Sequence, residues 1–216
     1  MSDSIFNIEH FVYFPSSIST VDGFGFLDLV SAVANEELEK TKIQHPKLDE
    51  IYPVRITGNL VENARLQEFN DFVATSAWQV LTHQGYATEN MGMFLSEIWV
   101  QEHHKHSLME QHVHGSGLQM IGFYFLNAPE NCSKAIFHDP RPGKVQTNLP
   151  EKDVSQATFG SNMVNFSPKP GMLLLTNSWL PHSFTRHASE EPLLFVHLNL
   201  GVQFGIRPST QSAEVI

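Results

Sequence analysis

The sequence predicts a mainly β domain of the jelly-roll or β-sandwich kind, with N-terminal helices packed on one outer face. Two segments with helical apolar spacing occupy the first ninety residues. Six short runs rich in β-branched and aromatic residues follow from Met91, each bounded by turn formers. No linker, repeat or low-complexity tract separates the two regions, so residues 1–216 read as a single domain, with 1–90 mainly helical and 91–206 forming the jelly-roll core.

The first helix is predicted from Phe24 to about Lys42. Phe26, Leu27, Val30, Val33, Ala34 and Leu38 give it one apolar face, and Asp22 is placed to cap it. The second is predicted from Leu60 to His83 through Ala64, Phe69, Val73, Ala77, Val80 and Leu81, with Asn59 as its cap and Gly85 as its stop. The strands are MGMFLSEIWVQE, LQMIGFYFLN, KAIFHD, MVNFSP, GMLLLTNS and LLFVHLNLGV. Between Pro140 and Phe159 the chain is polar and aperiodic, which predicts a long loop. Loops of that length in compact domains often select a substrate.

Composition narrows the function. A formal charge of −10, with Lys and Arg scattered, argues against nucleic-acid binding. No apolar run approaches the roughly 18 residues of a membrane span. The segment MSDSIFNIEH has neither a basic region nor an apolar stretch and does not read as an export signal. A lone cysteine, Cys132, excludes an internal disulfide and fits a reducing, cytoplasmic setting. With 41% apolar residues, 16 of them Phe, the chain can bury a substantial core.

The twelve histidines are the compositional oddity. In QHVHGSG, His112 and His114 stand at i and i+2, so in an extended chain both imidazoles face one side. Two such groups fill only part of a coordination sphere. His182, at the end of the apolar run GMLLLTNS and a Trp-Leu-Pro turn, is the best third ligand. Two adjacent ligands, one remote ligand and open positions match the facial arrangement of non-haem iron oxygenases, with histidine in place of the carboxylate. The run HHKH at 103–106 reads as a solvated turn, while His138, His187 and His197 read as surface or hydrogen-bonded core residues.

Taken in order, Trp99, HVHGSGLQMIGFYFLN, FHDPR (137–141), PKPGMLLLTNSWLPHSF and HLNL (197–200) resemble the 2-oxoglutarate–Fe(II) oxygenase family, which is related to prolyl hydroxylases. The resemblance covers about Trp99 to Phe204. It implies a double-stranded β-helix, Fe(II) held by His112, His114 and His182, and 2-oxoglutarate as co-substrate. It also implies hydroxylation of a peptidyl or small-molecule substrate. Asp139, with Pro140 and Arg141, would shape the strand leaving the site. Asp139 is either a catalytic group or the start of a turn. Gly171 and Trp179 are fold-determining by the same comparison.

Two positions depart from the family. Its members carry an arginine some ten residues after the distal histidine, which grips the far carboxylate of 2-oxoglutarate; here Pro192 and Leu193 stand there. The assisting tyrosine is replaced by Phe125, and Tyr124 keeps a hydroxyl one residue out of phase, facing the other way. A buried carboxylate without a partner costs roughly 3–5 kcal/mol. Replacement partners are Arg141, Arg186, Lys134 and Tyr124, together with His197 and Asn199, which share the inward face with Leu193 by period two. Phe123, Phe125 and Trp179 would wall the pocket. Two readings follow: a 2-oxoglutarate-dependent dioxygenase, or a cupin-like jelly roll that binds metal without that activity. A homodimer contact through the helical half is a further expectation.

Overall fold

The computed structural model describes residues 9–115, 117–146 and 149–205. Ten strands form two antiparallel sheets, as the alternating patterns require. They are β1 (Ile18–Asp22), β2 (Val54–Ile56), β3 (Met91–His103), β4 (Met109–His112), β5 (Leu118–Asn127), β6 (Ala135–His138), β7 (Met163–Phe166), β8 (Met172–Asn177), β9 (His182–Phe184) and β10 (Leu193–Phe204). The larger sheet runs β1-β8-β5-β10-β3-β2 and the smaller β4-β9-β6-β7. Helices α1 (Leu27–Gln44) and α2 (Gln67–His83) pack on the larger sheet, and a short helix, α3 (Pro142–Gln146), lies in the long loop.

Strand alternation sorts the side chains into two cores. On one face of the larger sheet Met120, Tyr124 and Leu126 of β5 join Val196, Leu198 and Leu200 of β10 against Val33, Leu38, Phe69 and Val73 of the helices. On the other face Ile121, Phe123 and Phe125 join Leu193 and Phe195, and meet Phe137 and Phe184 of the smaller sheet. Polar contacts also tie the helical layer to the larger sheet, among them the Tyr124 hydroxyl, which donates to the Gly23 carbonyl at 2.9 Å. Glycine is required there, because a Cβ at position 23 would lie 2.9 Å from the Tyr124 ring.

The helix starts differ from the predicted ones. Asp22 Oδ1 accepts from the Phe24 N–H at 3.0 Å and opens a 3-10 turn, so α1 proper begins at Leu27. Asn59 does not cap α2. Its Oδ1 accepts from the N–H groups of Val61 and Ile98, tying the preceding loop to β3. Asn63 caps the 3-10 turn (Ala64–Leu66) that leads into α2, accepting from Arg65 N at 3.0 Å, and α2 itself starts without a side-chain cap. Gly85 ends α2 with φ +88°, as predicted. The HHKH run is only partly a solvated turn. His103 completes β3 and is wholly buried, because the period-two alternation of Trp99 and Gln101 carries it inward. Among the described residues no helix is long and apolar enough to cross a membrane.

Candidate metal centre

His112 ends β4 and lies in register with His182, the first residue of β9. Their ring centroids are 4.4 Å apart. His114 lies two residues beyond the end of β4, and its N–H donates to Ser178 O at 2.9 Å, which holds it beside the turn leaving β8. That turn closes through Leu180 N donating to Asn177 O, and His138 N on β6 grips the Pro181 carbonyl, presenting His182 to the interior. One ring nitrogen from each of the three histidines falls within 4.8 Å of the others.

The tautomers follow from the backbone. His112 Nδ1 lies 2.8 Å from Glu110 O, and His182 Nδ1 lies 3.0 Å from Leu180 O. A carbonyl only accepts, so each Nδ1 carries the proton and each Nε2 keeps a lone pair. The Nε2 atoms of His114 and His182 are buried and have no partner in the protein. Burial lowers the pKa of His182 to about 3 and that of His114 to about 4, with His112 adding to both shifts. Neutral imidazoles with free, buried lone pairs are what a divalent metal takes, and the carbonyls behind them fix the ring orientation.

A second ring of polar groups adjoins the three. On the inward face of β10, His197 lies 4.9 Å from His114 and 5.1 Å from Phe123 between ring centroids. Trp99 of β3, its register partner, lies 4.4 Å from it. Asn199 donates to Glu97 Oε2 at 2.8 Å and stands beside His114. Trp99 Nε1, His197 Nδ1 and Asn199 Oδ1 are all buried without a protein partner. Native interiors rarely leave several such atoms together: Trp99 Nε1 and a protonated His197 Nδ1 can donate to ligand oxygens, while Asn199 Oδ1 accepts. Burial pushes the His197 pKa well below its ordinary value.

Deeper between the sheets the lining is mainly aromatic, with the buried His103 ring against Phe195 at 5.1 Å and Phe184 at 5.8 Å. Phe184 and Phe195 stack at 5.0 Å, and Phe123 meets both edge-on at 5.2 and 5.8 Å. Phe125 and Leu193 belong to the same cluster, so the two positions where the family pattern puts polar groups are occupied by packed apolar side chains.

Several predicted site residues lie elsewhere. Tyr124 points to the helical layer, where its ring packs on Phe69, because adjacent strand residues face opposite ways. Arg186 is exposed, since β9 ends at Phe184 before the alternation can carry it inward. Arg141 grips Asp139 through Nε at 2.9 Å and Nη2 at 2.6 Å, while its N–H bonds the same carboxylate at 3.0 Å. Asp139 thus closes a turn, and Arg141 beside it holds its carboxyl below the usual range. Lys134 is also exposed. Of the pocket walls, Phe123 faces His182 at 5.5 Å, and Trp179 is 46% exposed on the rim of a cavity of about 720 Å³ that His114 also lines. A cavity of about 270 Å³ adjoins the Asp139–Arg141 pair. The long loop contributes Phe159 to this smaller cavity. Trp99 is the site neighbour that sequence reasoning used only as a landmark. Continuing the inward alternation of β3 back from Gln101 would have found it.

Residues 97–198 match the family model described as "Putative 2OG-Fe(II) oxygenase". No curated protein matches the chain. Among solved structures, a Pseudomonas putida prolyl-4-hydroxylase is similar at 13% identity and TM-score 0.55, over 86% of this chain and 92% of that one. The α-ketoglutarate-dependent epimerase SnoN of nogalamycin biosynthesis is similar at 13% identity and TM-score 0.60, over 93% and 89%. HygX from Streptomyces hygroscopicus, crystallised with nickel, 2-oxoglutarate and hygromycin B, is similar at 14% identity and TM-score 0.54, over 86% and 83%. The two sheets with helices on one side are therefore a double-stranded β-helix.

Proposed function

This chain belongs, through residues 97–198, to the 2OG-Fe(II) oxygenase family, and from that premise we propose that His112, His114 and His182 hold its iron for the oxidation of a C–H bond. The enzyme is a dioxygenase using Fe(II) and 2-oxoglutarate. The observation that supports this ligand set is the convergence of three imidazoles whose inward Nε2 atoms include two that are buried and unpartnered. When bound, iron and the keto acid supply the oxidising power, with O₂ consumed and 2-oxoglutarate converted to succinate and CO₂ as the substrate gains a hydroxyl.

The remaining work falls to the chain itself. Glu110 and Leu180 carbonyls orient the two facing imidazoles. His197 Nδ1 and Trp99 Nε1 are the unpartnered nitrogens positioned to donate to carboxylate oxygens of the co-substrate, in place of the absent arginine and tyrosine. Phe123, Phe184 and Phe195 exclude water behind them. The lone Cys132 supports a reducing, cytoplasmic location.

Anaerobic titration tests the assignment. Protein with one equivalent of Fe(II) should develop a weak visible charge-transfer band on addition of 2-oxoglutarate, and His182→Ala should lose both iron and band. Iron bound at full stoichiometry with no band would favour a metal-binding jelly roll of the cupin kind.

A further inference from the structure

The cavity of about 720 Å³ beside His114 is of a size that encloses a drug-sized molecule. It opens between the end of α2, the start of β5 and the ends of β8 and β10. Among the described residues its walls hold no Asp, Glu, Lys or Arg. Leu81, Met91, Leu118, Trp179, Val202 and Phe204 give it apolar walls, with the Tyr86 ring beside them. The polar side chains there are largely engaged with the protein: Ser178 Oγ donates to Leu118 O at 2.7 Å, Gln119 Oε1 accepts from Val202 N at 2.6 Å, and Asn177 exchanges hydrogen bonds with Gln84. A charged ligand entering this space would shed water and find no counter-charge among these residues, so ions are disfavoured against neutral molecules of the same shape. The smaller cavity differs, since Asp139 and Arg141 line it.

We propose that the large cavity is the substrate site and that it takes a neutral, predominantly apolar small molecule, held by its hydrocarbon body with one C–H presented past His114. This rests on the metal assignment only for the direction in which the molecule is presented; the cavity's preference for uncharged ligands stands on its walls alone.

The experiment uses full-length, metal-free protein, so its outcome does not depend on the iron ligands. Nile red, a neutral apolar dye, is titrated by fluorescence and then displaced with 2-naphthol, 2-naphthoate or 2-naphthylmethylammonium. Saturable binding is expected, with the neutral competitor at least tenfold more effective than either ion. Leu118→Glu puts a charge in the wall, and Ala87→Trp fills volume from an exposed position; each should weaken dye binding at least tenfold. Met163→Glu, in the smaller cavity, should leave it unchanged. Equal affinity in all four proteins, or preferential displacement by either ion, would overturn the proposal. So would a tenfold rise in affinity on removing residues 206–216, which would assign the cavity to the chain's own tail. Reconstitution with Fe(II) and 2-oxoglutarate then reads the metal assignment separately, through the charge-transfer band.

Discussion

His112 and His182 are register partners on adjacent antiparallel strands, and this pairing brings residues seventy positions apart in sequence to a ring separation of 4.4 Å. The metal assignment predicts that either alanine variant fails to retain iron, falling from about one equivalent to below about 0.1, because two imidazoles leave most of the sphere unfilled. The apo-fold should survive, since each alanine gives up only the one hydrogen bond from Nδ1 to the carbonyl two residues earlier. Elemental analysis and circular dichroism of the purified variants check both halves.

Co-substrate binding separates the interior from the surface. His197→Phe keeps a ring of similar shape on β10 but removes a buried, unpartnered nitrogen beside His114. Affinity for 2-oxoglutarate should fall about tenfold or more, in line with loss of a charge-assisted hydrogen bond of about 1.5–3 kcal/mol. Arg186→Ala, on an exposed residue, should change it less than about twofold. Isothermal titration with a redox-inert metal in the site gives both constants.

Tyr124→Phe should lower stability by about 0.5–1.5 kcal/mol, because the Gly23 carbonyl loses one of its two donors and keeps the Phe26 N–H. Iron content and 2-oxoglutarate affinity should be unchanged, since the ring belongs to the helical layer. Urea unfolding and metal analysis of one preparation suffice; a loss of co-substrate affinity without a loss of stability would contradict the placement.

His103 sets a pH dependence. Burial holds its pKa down to about 3 in the folded protein, with His187 and His104 contributing. An unfolded histidine titrates near 6.5. Above that pH the side chain is neutral in both states and adds no pH dependence. Below it only the unfolded chain takes up the proton, so stability falls as pH drops from about 6.5 towards 3, by at most roughly 1.4 kcal/mol per unit. Urea midpoints of the metal-free protein against pH should therefore slope less steeply in His103→Gln than in wild type.

Much of this arrangement is legible in the residues. Six of the strands and both main helices show their pattern plainly, and the H-x-H spacing with a remote histidine points to the three convergent rings. The short pieces are harder to see. Strands β2, β4 and β9 contain three or four residues, too few for an alternation to declare itself, and they lack the apolar runs that mark β6 and β7. Without β4 and β9 the pairing of His112 with His182 rests on ligand chemistry alone and finds no support in the strand pattern. The arginine candidates fail for a related reason: Arg186 shares the inward phase of His182 and Phe184, but the strand stops first, and only the fold says where. Asp139-Pro140-Arg141 can be read as a turn or as chemistry, and the carboxylate's three bonds to Arg141 decide for the turn.

His112 and His182 hang from the smaller sheet, whereas His114 is fastened through Ser178 to the strand end of the larger one. An ion shared by all three would act as a rivet between the two halves of the barrel. Loading it should slow amide exchange in β4 and β9 more than in the helix-backed strands, so the mouth of the barrel would stiffen when the cofactor arrives and loosen when it leaves.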